Sequence, residues 1–185
     1  MRALQKRDKT IGADIHFFVE KKSTRLKRQE LINNVINEDE NLQMEWESAD
    51  TWVKNKYFDP EEKDSGERPL AIDRDQRFYI GRNYTLFGVL ADVRWESKTG
   101  PISQPKGFPK DASDIVKGEY KSWGSDAHSA SYLTLKELLD VDWSKYYEEY
   151  DGCEGDLSSF MKTIEKMKML DDNYEDVRCV FWFDN

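Results

Sequence analysis

The chain is poor in the residues that most often bind metals or attack substrates. It has only two histidines and two cysteines in 185 residues. The cysteines, Cys153 and Cys179, form no Cys-x-x-Cys pair, which argues against a structural zinc knuckle. Cys179 lies in an apolar stretch and is expected to be an inert buried thiol. No apolar run approaches the roughly 20 residues of a membrane span. The basic N-terminus has no apolar stretch behind it, so no signal peptide is expected. These absences predict a soluble, cytoplasmic protein with no membrane partner. Positive charge is also short: the net charge is −9, which argues against general nucleic-acid binding, because phosphate backbones require a basic surface. The imbalance is uneven, with nine Lys and Arg against three Asp and Glu between Met1 and Arg28. A basic terminal arm of this kind is usually solvated.

Aromatic residues are abundant: six Trp, nine Tyr and nine Phe. Each buries a large area, so a core can form despite the high charge. The length suits one domain. Residues 1–11 read as a flexible leader, 12–185 as a single α+β domain, and 59–69 ("DPEEKDSGERP") as a mobile loop.

Asp14 to Val19 alternates as a strand, with Asp14 and His16 side by side on one face. Thr24 to Ile36 carries helical pairs, Leu31 with Val35 and Ile32 with Ile36. Met44 to Val53 reads as an exposed strand. "LAIDRDQRFYI" reads as a hairpin, with arms Leu70–Ile72 and Arg77–Ile80 around a turn. Asn83 can cap a helix reaching about Arg94, with a stripe of Leu86, Phe87, Leu90 and Val93. Asp111 can cap a second helix, with Asp114 at its third position and Ile115, Val116 and Tyr120 on its apolar face. Thr134 and Glu137 form a capping box, with Leu133 and Leu138 placed as a staple. Trp123 to Leu133 therefore reads as a connection pinned between two helices. Asp156 to Met169 places Leu157, Phe160, Ile164 and Met167 in helical register. "VRCVFWFDN" is apolar on both faces, as in a central strand. The expected fold is α+β: a mixed or antiparallel sheet, its N- and C-terminal strands central, with four to five helices packed on it.

Both histidines sit in Asp-x-His motifs, Asp14–His16 and Asp126–His128. These four residues suit a divalent metal such as zinc or manganese. They also suit acid–base catalysis, in which an aspartate fixes the histidine tautomer. They serve equally as turn caps and backbone partners. In "YIGRNYTLF", Arg82 and Asn83 stand at a helix start and offer an anion cradle, with Tyr84 beside them. Ser129 and Ser131 flank His128, but no nucleophile elbow surrounds them. Trp123, with Trp95, Tyr132 and Trp143, offers a base-stacking surface. The acidic stretch Lys145–Asp156 reads as solvated, or as a surface for a basic protein.

The segments "GADIHFFVE", "FYIGRNYTLFGVLADVR", "PKGFPKDAS", "WGSDAHSASYLTLKEL" and "VRCVFWFDN" together resemble a family of small proteins of tailed bacteriophages and prophages. The resemblance runs from Gly12 to Asn185 and is poor over 21–70 and 145–175. Position 13 is Ala where the family has Cys, so a thiol next to Asp14 plays no part. The resemblance implies an accessory protein in an infected host cell, one that counters host defence, including defence that signals through nucleotides.

Three functions are expected from these features. The first is recognition, and cleavage, of a phosphorylated small molecule such as a nucleotide signal. Asp14, His16, Asp126 and His128 would react; Arg82, Asn83, Ser129, Ser131, Trp123 and Tyr84 would bind. The second is sequestration of the same ligand without turnover, as a homo-oligomer sharing its site. The third is acidic inhibition of a host defence protein.

Overall fold

The computed structural model describes residues 12–24, 44–62, 68–94, 98–149 and 157–184. Over them the chain is α+β, with a four-stranded antiparallel sheet, a two-stranded ribbon and five helices. The strands are β1 (Ile15–Thr24), β2 (Met44–Ser48), β3 (Trp52–Lys54), β4 (Leu70–Ile72), β5 (His128–Thr134) and β6 (Val177–Phe183). The helices are α1 (Tyr84–Ala91), α2 (Asp114–Trp123), α3 (Leu135–Leu139), α4 (Trp143–Glu149) and α5 (Ser158–Lys168). The main sheet runs β2-β1-β6-β5, so the two terminal strands are neighbours at its centre; β3 and β4 form the ribbon. No helix among the described residues is long and apolar enough to cross a membrane.

Every residue of β6 is buried, because both of its faces are covered. Val177, Cys179, Phe181 and Phe183 join a core with Leu86 and Leu90 of α1, Leu135 and Leu138 of α3, and Phe160 and Met167 of α5. Val180 and Trp182 point the other way, into a smaller core with Phe18, Ala130 and Val116 of α2. Each large apolar side chain so buried contributes about 1.5–3 kcal/mol before entropy is counted. Side chains set the helix starts: Asn83 accepts from the Leu86 N–H at 3.0 Å, and Thr134 and Glu137 close the expected capping box. Asp92 ends α1 in the left-handed region, at φ 55°.

The structure corrects four sequence expectations. The Leu70–Ile80 hairpin does not form: β4 pairs with β3 (Lys54↔Leu70 to Trp52↔Ile72), while Asp73 caps a 3-10 turn and Tyr79 enters the core. Met44–Val53 is two strands, broken at Ala49–Thr51. Asp111 does not cap α2; its carboxylate accepts from Arg178 and Trp46, and the helix begins after Ser113. Trp123–Leu133 is not wholly a connection, since His128 onward is strand β5, paired to β6. The capping box marked the helix start but hid the strand feeding it. The expectations for residues 1–11, for the helix beyond Thr24, for 63–67 of the charged loop and for Cys153 lie outside the described residues.

One buried ion pair crosses the sheet centre. Glu20 stands opposite Arg178 in the β1–β6 register. Arg178 donates from Nε to Glu20 Oε2 at 2.9 Å and pairs with Asp111 at 3.0 Å. The Ser113 N–H donates to Glu20 Oε1 at 2.7 Å. Removing one partner strands a charge in the interior, so Glu20→Gln or Arg178→Met should each cost about 3–5 kcal/mol in urea unfolding. The double replacement should cost less than the sum of the two.

β2 pairs with β1 only from Glu20 onward. Beyond that point the Asp50 carboxylate takes a strand's place: Oδ2 accepts from the Val19 N–H at 3.0 Å, while Oδ1 is buried without a hydrogen bond. Burial pushes the Asp50 pKa up to about 6, against the Val19 and Ser48 bonds and the Arg77 charge. The native state thus holds this proton more tightly than the unfolded chain does. The stabilisation is complete below the unfolded value of 3.8 and is lost as pH rises through about 6. Asp50→Asn removes the ionisation, so its stability relative to wild type should rise by up to about 3 kcal/mol between about pH 4 and about pH 8. Denaturant midpoints across that range check the slope.

Candidate functional site

The β1–β6 register builds the site. His16 lies opposite Trp182, and Ile15 opposite Phe183. Asp184, just past β6, therefore falls beside Asp14. The Asp14 N–H donates to Asp184 Oδ1 at 2.9 Å, and the Asp184 N–H donates to the Asp14 carbonyl at 3.2 Å. Asp184 Oδ2 is 3.3 Å from His16 Nε2. The His16 ring lies between two indoles, Trp123 at 4.1 Å and Trp182 at 5.4 Å between centroids. Burial lowers its pKa below the ordinary 6.5, and the Asp184 bond and the carboxylate charges only partly reverse this. His16 is thus neutral at pH 7, Nε2–H donates to Asp184, and Nδ1 keeps its lone pair.

Asp14 does not orient His16. Its carboxylate is held by Arg82, which donates from Nε at 2.7 Å and from Nη2 at 2.6 Å. That bond keeps Asp14 below the usual carboxylate range. Arg82 therefore arrives already paired, although the pair is half-exposed. Asn83 is occupied as the α1 cap, and Tyr84 lies exposed against Phe87.

The second motif points elsewhere. His128 lies opposite Phe183, with centroids at 6.1 Å. Phe183 and Trp182 are consecutive strand residues, so they face opposite sides of the sheet. His16 and His128 do the same. A bulge between His128 and Ser131 puts Ser129 in the left-handed region at φ 50°, and its Oγ is 3.1 Å from His128 Nδ1. Ser131 is buried and accepts from the Lys106 N–H at 3.1 Å. Asp126 is exposed. The structure thus gathers Asp14, His16, Arg82 and Trp123, and leaves His128, Ser129 and Ser131 apart from them; the Asp126 N–H donates to the Trp123 carbonyl at 3.0 Å. Among the described residues no group of three or more His, Cys, Asp and Glu side chains is placed to hold a metal ion.

His16 and Trp123 open onto a cleft of about 400 Å³, walled also by Trp52, Arg68, Arg77 and Glu119. It follows the free edge of β1. The Val19 main chain bonds toward β2, through Asp50 and Ala49. Alternation then aims the N–H and C=O groups of Ile15 and Phe17 the same way, away from β6. No strand pairs with them there among the described residues. The Phe17 ring is packed on Tyr79, Phe160 and Phe181, so Phe17 offers the cleft its main chain. Arg68 donates to the Gly118 carbonyl at 2.5 Å and pairs with Glu119 at 3.4 Å. Burial raises the Glu119 pKa, against Arg68 and Arg77. Arg77 itself makes no ion pair or hydrogen bond among the described residues. Sequence reasoning missed Asp184, Trp52, Arg77 and Glu119. Pairing the two terminal strands in register would have found Asp184, but the hairpin reading buried Arg77 in a supposed strand.

No family model matches this chain, and neither a curated protein nor a solved structure matches it.

The His16 environment can be checked by NMR. The imidazole should titrate below 6.5. Asp184→Asn should lower the midpoint further, because Asp184 raises it. An unchanged or higher midpoint in the variant would contradict the hydrogen-bonded geometry.

Proposed function

We propose that this protein is a phage-type accessory protein that binds a phosphorylated, nucleotide-like small molecule in the β1 cleft and sequesters it. A nucleotide needs a ring to stack on, main-chain or amide groups for its base edge, and a cation for its phosphate. One cleft supplies all three: the Trp52 and Trp123 rings, the free edge of β1, and Arg77. That coincidence carries the reading. The volume lies within the usual range for small-molecule sites, about 300–1,000 Å³. The phage setting rests on the motif resemblance alone.

Sequestration is preferred to cleavage because the two histidines face opposite sides of the sheet. A hydrolytic reading keeps one specific support, the His16–Asp184 hydrogen bond at 3.3 Å, which orients a neutral base.

The test is calorimetric titration with a panel of mono-, di- and cyclic nucleotides, followed by heat release and chromatography of the ligand. An intact ligand is expected. A cleaved product would move the assignment to the His16–Asp184 hydrolase, and no binding anywhere in the panel would end the nucleotide reading. Trp123→Ala should weaken binding by about 1–3 kcal/mol, the usual worth of one base–aromatic stack.

A further inference from the structure

The charges lining the cleft limit what its ligand can carry. Among the described residues two cations line it, Arg68 and Arg77. Arg68 is spent on Glu119 and on the Gly118 carbonyl. Its charge is balanced before any ligand arrives. Arg77 makes no ion pair among the described residues, although its field reaches His16, Asp50 and Glu119. His16 is neutral and donates to Asp184. Among the described residues the cleft thus offers one guanidinium without an ion-pair partner, with the Glu119 carboxylate in the lining and Asp50 within its field.

We propose that the ligand is a nucleotide-sized phosphodiester carrying one negative charge, rather than a phosphomonoester or a polyphosphate. The inference rests on the nucleotide reading of the cleft. A phosphodiester is a single anion at neutral pH, and one guanidinium can bind it through two parallel N–H donors. A phosphomonoester carries about 1.5–2 charges. Its second charge would face the Glu119 carboxylate with no second unpaired guanidinium among the described lining residues, in a partly desolvated site where like charges repel strongly. The field of the whole chain adds to this, since a net charge of −9 disfavours approach by a polyanion. The size agrees: about 400 Å³ lies near the lower end of small-molecule sites, room for one nucleoside unit rather than a chain of them.

The test compares ligands of one base and ribose that differ only in phosphate charge. The 3′,5′-cyclic monophosphate, the 5′-monophosphate, the 5′-triphosphate and the free nucleoside are titrated for each of the four bases. For the base that binds, the cyclic diester should bind at least about tenfold tighter than the monoester, with the triphosphate weaker still. Arg77→Gln should reduce affinity for the cyclic diester by about tenfold or more and leave the free nucleoside unchanged. A monoester or triphosphate that binds as tightly as the diester overturns the single-charge inference and leaves the nucleotide reading standing. So does an Arg77→Gln protein that keeps the diester affinity. No binding by any of the four series overturns both. Circular dichroism of the variant confirms that the fold is intact.

Discussion

The buried Glu20–Arg178 pair is the constraint on which the rest of the sheet depends. Both side chains lie in the interior, at 0% and 3% exposure. Their desolvation is costly, and it is tolerable only because nearly every polar edge is met. The Ser113 N–H, Asp111 and the Trp46 ring, 3.9 Å from the guanidinium, complete the shell. A strand pair can slip by one residue only by sending alternate side chains to the opposite face. Here such a slip would part the charges across the sheet and leave each buried alone. The pair therefore pins β1 against β6. That single register puts Asp184 beside Asp14 and His16 opposite Trp182.

The cleft follows from an unequal partnership at the sheet edge. β1 is ten residues long and β2 five, so half of β1 has no strand on its outer side among the described residues. Asp50 closes the last paired position with its carboxylate, and the ribbon lies farther out. Trp52 links the two regions: it donates to Ser48 at 2.9 Å and stacks on Phe18. An exposed strand edge is ordinarily a liability for aggregation. Here it is recessed between the ribbon and α2, which makes it available to a small molecule and hard for another sheet to reach.

The architecture was legible where hydrophobic period and capping chemistry agree. β6 announced itself because both faces of Val177–Phe183 are apolar. Asn83 and Thr134–Glu137 were visible because a cap is a local interaction, made within three residues. Asp111 was misread for the complementary reason. It has the right letter for a cap, but Arg178, 67 residues away in sequence, offers a charge-assisted bond that outweighs a cap. β4 was assigned the wrong partner because a short apolar run carries no information about which strand it meets. Asp184 is the plainest case. It becomes interesting only once the chain ends are known to be adjacent, and then it takes the role that proximity in sequence had given to Asp14.

The two Asp-x-His motifs share letters but not physics. At His16 the ring is held between two indoles, a carboxylate from the far end of the chain fixes one nitrogen, and the neutral form is favoured. At His128 the ring serves a bulge, turned toward Phe183 and the neighbouring Ser129 hydroxyl. At the head of the segment "WGSDAHSAS", Trp123 contacts the Asp14–His16 face. The four residues between Trp123 and His128 join the end of α2 to the start of β5, enough to carry the chain from one side of the sheet to its edge. The segment thus contributes an aromatic wall to the cleft and leaves its histidine on the other side. The Trp123 indole, tilted against the His16 ring at the cleft wall, offers an aromatic face to a planar ring, and that supports recognition over reaction at this face.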